Sequence, residues 1–187
     1  MKLATCTLKS VSPYSQSRSY SQEIEKDPKE THDAYEKRTW RNKSHSNADG
    51  NIFIPPMSFK MALDTAAKMI GQKVPGKGQS TYTKFFTSGV LCMEAPVLPD
   101  TKDDVAFDRI FANADGRRGS GKRVWRTFPR IDDWEAKVDF HVLADEITED
   151  VFEDTLVQAG AFVGIGRFRP ENGGFYGRFE VKKIKWS

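Results

Sequence analysis

This 187-residue sequence is short of several features that mark common functions, and each shortage excludes something. There are two cysteines, Cys6 and Cys92, each inside an apolar, strand-like run. Neither a disulfide scaffold nor a metal knuckle can be built from them, and both thiols are expected to be buried. No apolar run is long enough to cross a bilayer as a helix, so no membrane partner is expected. The opening "MKLATCTLKS" carries charge and lacks the apolar centre of a signal peptide, which predicts a first strand and a cytoplasmic protein. Histidine is scarce as well: His32, His45 and His141 have no Cys or His neighbour at ligand spacing, so neither a metal nor a cofactor is expected. Between Ser10 and Gly50 aliphatic side chains almost disappear. That 10–50 stretch is a polar insertion, either ordered or settling on binding.

What is present is segregated charge on a chain sized for one domain, residues 1–187. The net charge is only +3, yet residues 116–130 hold six Arg or Lys and no acid, and 132–154 hold ten acids against one lysine. Such separation bears on partner choice more than the total does.

Periodicity outlines the elements. "KLATCTLKS" alternates as a strand, with Ala4, Cys6 and Leu8 on one face. "NIFIP" is a second short strand after the turn at Asp49-Gly50. A helix follows, with Ser58 as its expected N-cap and Phe59, Ala62, Leu63, Ala66, Ala67 and Ile70 at helical spacing until Gly71. "QKVPGKGQSTYTKFF" is expected to be a loop and "SGVLCMEAPVL" a single buried strand. Residues 105–131 predict a hairpin whose connection, 116–124, is basic. "WEAKVDFHVLA" alternates strictly, and the next helix has Thr148 as its N-cap. A final alternating strand, "FYGRFEVKKIKW", ends the sequence. Two loosely repeated strand–helix–strand units predict an α+β fold: a ferredoxin-like or RNA-recognition-type sheet, helices on one face, with the long insertion after the first strand.

Two stretches, 71–78 and 116–123, supply G-x4-G-K. Gly78 and Arg123 replace the Mg²⁺-binding hydroxyl, and neither stretch links a strand to a helix, so nucleotide hydrolysis is rejected. "GIGRFRPENGGFYGRF", residues 164–179, puts five glycines, three arginines and four aromatics into one segment. Its "GGFYGRF" partly matches the ribonucleoprotein strand motif, in which rings on a sheet stack bases.

"GNIFIPPMSFKMAL" (50–63) and the 164–179 segment together resemble the RAMP superfamily of CRISPR-associated RNA-binding proteins. The first is similar to that family's strand-turn-helix pattern, and the second to its carboxy-terminal glycine-rich loop with a Gly-aromatic-Gly-Arg strand. The resemblance is closest to the repeating subunits that coat guide RNA, and the chain's length suits a reduced or virus-encoded relative. It implies a non-enzymatic binder of single-stranded RNA or DNA that contacts guide-RNA complex subunits and associates head to tail along the strand. On this reading Ser58, Lys60 and the helix N–H groups hold a phosphate, and Arg167, Arg169 and Arg178 grip the backbone. Lys77, Arg117, Arg118, Lys122 and Arg123 extend the track, and Trp40, Phe175 or Tyr176 offer stacking surfaces. One alternative is a metal-independent endoribonuclease of the same superfamily, with His32, His45 or an aspartate of the insertion as base. Another is an interaction protein that engages or imitates a guide-RNA complex.

Overall fold

The computed structural model describes residues 1–20, 23–114, 119 and 121–187. In chain order the elements are β1 (Lys2–Ser10), β2 (Tyr14–Ser15), α1 (His32–Thr39), β3 (Asn51–Phe53), α2 (Pro56–Ile70), α3 (Thr83–Gly89) and β4 (Val90–Leu91). There follow β5 (Val97–Thr101), β6 (Ala106–Asn113), β7 (Arg123–Ile131), β8 (Glu135–Val142), α4 (Glu149–Gln158) and β9 (Phe179–Trp186). Alternation sets the layers. Ala4, Cys6 and Leu8 of β1 are fully buried, while Leu3, Thr5 and Thr7 are not, as a pleat with one packed face requires. The main sheet runs β4-β8-β1-β9, with every described pairing antiparallel. With α2 between β1 and β4, and α4 between β8 and β9, this is the expected ferredoxin-like α+β arrangement. Phe59, Leu63 and Ala66 of α2 and Phe152 and Leu156 of α4 join the inward face of the sheet in one core, leaving the other face open.

The helices start differently from one another. Thr148 caps α4 as expected, its hydroxyl accepting from the Val151 N–H, with Glu149 and Asp150 in the first turn. Ser58 does not cap α2. Pro55 occupies that position and Pro56 is the first helical residue, where a missing N–H costs nothing. Ser58 therefore lies within the first turn, its hydroxyl without a hydrogen-bond partner among the described residues.

A second sheet, β2-β7-β6, carries the expected hairpin. Trp134 ties the two sheets together, its ring 6.4 Å from those of Tyr14 and Phe179 and 6.3 Å from Phe59. The 10–50 insertion holds β2, α1 and a 3-10 turn, Trp40–Lys43. Its anchor is polar. β2 is only two residues long, so beyond it the edge of β7 that faces away from β6 has no strand partner at Thr127. Glu36 and Lys43 take that place: the Thr127 N–H donates to Glu36 Oε1 (2.6 Å), Lys43 Nζ donates to the Thr127 carbonyl (2.7 Å), and the two side chains form a buried ion pair. Burial pushes the Lys43 pKa down, and its bond to Glu36 opposes that shift.

Three further expectations fail on packing. The loop expected over 72–86 gives way to α3 from Thr83, whose Phe86 is buried and stacks on Phe152 at 6.5 Å. "SGVLCMEAPVL" is not one strand: β4 stops at Leu91 and β5 starts at Val97, with residues 92–96 between them. The partial ribonucleoprotein match is not on a strand, since β9 begins at Phe179. Cys6 and Cys92 are buried free thiols, with pKa values that burial pushes up to about 12.

Candidate nucleic-acid interface

The loop from Gly164 to Arg178 folds back on itself and on β2. Gly166 has φ +76°, and a Cβ there would stand 2.5 Å from the Ser15 carbonyl and 2.4 Å from the Tyr14 ring. Only glycine fits such an approach, and the contact seats Arg167, whose N–H donates to the Ser15 carbonyl (2.8 Å) and whose Nε donates to Ser15 Oγ (3.2 Å). The Arg167 guanidinium lies 3.9 Å over the Phe128 ring and 5.7 Å from that of Tyr176. Among the described residues no carboxylate forms an ion pair with it. Burial holds its pKa below the usual arginine value, and it stays cationic.

Arg167 lines two of four cavities in this region. One of about 160 Å³ lies between the first turn of α2 and the loop, lined by Met57, Ser58, Gly166, Arg169 and Glu171 among others. A second, about 240 Å³, shares Ser58 and Gly166 with it and adds Gln16, Ser17, His45 and Arg167. A third, about 410 Å³, shares Ser17 and brings in Arg18, Lys26, His32, Lys43 and Arg126. The fourth, about 270 Å³, lies across Arg167 against Phe168, Phe175 and Tyr176. The first three form a seam between the helix layer and the second sheet that crosses Arg169, Arg167, Arg18, Lys43 and Arg126. Three carboxylates partly balance it: Glu171 pairs with Arg169, Glu23 with Arg18 and Glu36 with Lys43. In Arg126, Nε is buried without an acceptor among the described residues.

His45 is held in the seam by Gln16, whose Oε1 accepts from the His45 N–H (2.7 Å), and its ring lies 5.7 Å from that of Phe53. Burial, with Arg18 nearby, keeps its pKa below the ordinary histidine value, so the ring is neutral at pH 7. The Tyr176 hydroxyl donates to Asp108, which also pairs with Arg130. Burial, then that bond, raises the Tyr176 pKa.

Of the residues expected at a nucleic-acid surface, Ser58, Arg167 and Arg169 converge here, with Tyr176 beside them. Lys60 does not. It is 6% exposed, pairs with Asp64, and donates to the carbonyls of Phe86 (3.1 Å) and Thr87 (3.2 Å) near the end of α3. It joins two helices and is covered by protein. Trp40 is likewise core, 5% exposed against Phe107, with Arg41 stacked over it. Lys77 lies beyond the far end of α2, a 15-residue helix about 22 Å long, and pairs with Glu146. Arg178 donates to the Ala161 carbonyl and lines a separate apolar groove with Val11 and Val157. Lys122 and Arg123 are exposed at the hairpin tip, Arg123 stacked on Phe111; Arg117 and Arg118 lie outside the described residues. Sequence reasoning missed Arg18, Lys26, Lys43, Arg126 and Phe128. The signal for the last two was available, since Arg126 alternates with Val124 and Phe128 on one face of β7.

No protein-family profile matches the sequence, and no curated protein is similar to it. Among solved structures the chain resembles one in the cryo-EM structure of the Type III-B Cmr-beta bound to cognate target RNA, with a TM-score of 0.54 and 12% identity over 99% of this chain. The match covers 60% of that chain, so the present chain spans well under its full length. At this identity the likeness is one of fold: this α+β architecture also occurs in a chain of an RNA-bound Type III-B complex.

Proposed function

We propose that this chain is a RAMP-type subunit of a CRISPR-related ribonucleoprotein and binds single-stranded RNA along the seam, gripping phosphates without cutting the strand. The observation that carries the reading is Arg167, a half-buried guanidinium with no acidic partner among the described residues, placed where the first turn of α2 meets the glycine-rich loop. A buried charge without a counter-ion is costly, and an incoming phosphate offsets that cost with charge-assisted hydrogen bonds. The Ser58 hydroxyl and the Met57 N–H add donors beside it, since Pro56 has no N–H and that of Ser58 donates to the Pro55 carbonyl. The likeness to a chain of an RNA-bound complex supports RNA over DNA.

The test is fluorescence anisotropy of labelled oligouridylate across a salt series. If about four phosphates are neutralised, log K falls against log salt with a slope near −3, at roughly 0.7 per phosphate for single strands. Arg167→Ala with Arg126→Ala is expected to flatten that slope by about 1.4. A flat response in the unaltered protein would overturn the reading.

One observation favours endoribonuclease activity as a second reading: a neutral His45 shares its cavity with Ser58 and Arg167, as a general base beside a phosphate site requires. Labelled RNA incubated with EDTA separates the two readings. Cleavage lost in His45→Ala and kept in His32→Ala would establish the nuclease, and intact RNA would retire it.

A further inference from the structure

The geometry points to the cavity beside Arg167, lined by Phe168, Phe175 and Tyr176, as a slot for one unstacked nucleobase. It rests on the RNA-binding reading only for the polymer that delivers the base.

The argument begins with the backbone. The Gly164–Gly177 loop holds four described glycines at positive φ, so the residue type that tolerates this conformation is freely used. Yet Phe168, at φ +58°, is the one residue other than glycine with positive φ among those described. A bulky residue there is a genuine outlier, and such strain persists at sites where the side chain has a task. The loop is built around it. The Phe168 carbonyl accepts from the Tyr176 N–H (3.1 Å), and a Cβ on Gly174 would come within 1.8 Å of that same carbonyl oxygen.

The Phe168 ring gains no core contact in return, being 55% exposed, and Phe175 on the opposite arm of the loop is 56% exposed. Both line the cavity together with Ile110, Gly173, Gly174 and Tyr176. At about 270 Å³ it falls just below the roughly 300–1,000 Å³ of sites for drug-sized ligands, which suits a single planar ring system. Arg167 forms one wall. Of its guanidinium nitrogens only Nε has a hydrogen-bond partner among the described residues, so the terminal N–H groups remain to meet the carbonyl edge of a base such as uracil. Rings and a guanidinium around one opening are the groups on which splayed-out bases stack. The cavity also adjoins the seam through Arg167, so a base can enter while its phosphates stay on the track.

Two measurements test the slot. In anisotropy, the protein is expected to bind a short oligouridylate about tenfold more tightly than the same ribose-phosphate chain without bases, within the range of base–aromatic stacking. That ratio should fall close to one in both Phe175→Ala and Phe168→Gly, with the salt slope unchanged; glycine accepts the positive φ at 168, and a thermal melt of the variant separates lost stacking from misfolding. In NMR, uridine should shift the amide resonances of Gly173 and Gly174, and ribose should not. Equal affinity for the two chains, a preference that survives both substitutions, or loop amides unmoved by uridine would overturn the slot. If neither chain binds while uridine still shifts those amides, the slot stands and the phosphate-track reading falls.

Discussion

Two residues, one from each of the paired sequence motifs, end in opposite circumstances, and each predicts its own phenotype. Lys60 is surrounded by protein oxygens, so Lys60→Met should lower stability by about 2–3 kcal/mol through the carbonyls and the Asp64 carboxylate it strands, in chemical denaturation. RNA affinity and salt slope of the folded fraction should not move. Phe168→Gly should do the reverse, raising stability by about 1 kcal/mol as the positive-φ strain is released. His45 predicts a pH effect. Its folded pKa is depressed from 6.5, so above that pH it contributes no pH dependence; below it the unfolded chain takes up the proton first, and stability falls until the folded pKa is reached. His45→Phe, which keeps a ring against Phe53, should shrink that acid loss in thermal melts run as a pH series.

At the scale of elements, the insertion is anchored by a polar clasp, and the clasp makes an unusual prediction. Lys43→Met should destabilise by roughly 3–5 kcal/mol, the cost of leaving Glu36 buried without its partner. A buried pair can often be replaced by two apolar residues at little cost, but here Glu36→Leu with Lys43→Met would still strand the N–H and carbonyl of Thr127. The double variant should therefore remain well below the unaltered protein in denaturant midpoint. This clasp also explains what the sequence could and could not disclose. The strands and the two long helices announce themselves because β1, β8, α2 and α4 each repeat an apolar period. The insertion has no such period, since its order comes from Glu36 and Lys43 completing a strand edge far away in sequence. The helix α3 is too short to show a period and is settled by Phe86 meeting Phe152. The same limit applied at the site: the two motifs placed Ser58, Arg167 and Arg169 together, while the choice between Arg167 and Lys60 depended on burial that no local pattern encodes.

Across the whole molecule, acids concentrate on one helix side, and the opposite sheet face is mixed with lysine in excess. The exposed side of α4 presents Glu149, Asp150, Glu153 and Asp154, while the open face of the main sheet carries Lys9, Lys137, Lys183 and Lys185 together with Glu135 and Glu180. On the proposed reading these two faces would meet head to tail, in an open row unless the rotation between copies closes a ring. Sedimentation on long oligouridylate at low salt is expected to show several copies per strand, dispersing as salt rises. Glu149→Lys with Glu153→Lys should limit the assembly to isolated copies.

The rims of the main sheet narrow how such copies can meet. One rim is β4, two residues long; the other is β9, whose pairing with β1 slips by one residue near Lys182 and which bears lysines along its length. Short, irregular or charged rims discourage a foreign strand from annealing. Growth into a continuous ribbon is thereby discouraged, so copies gathered on one strand, if the proposed reading holds, would lie broad side to broad side and separate once that strand is removed.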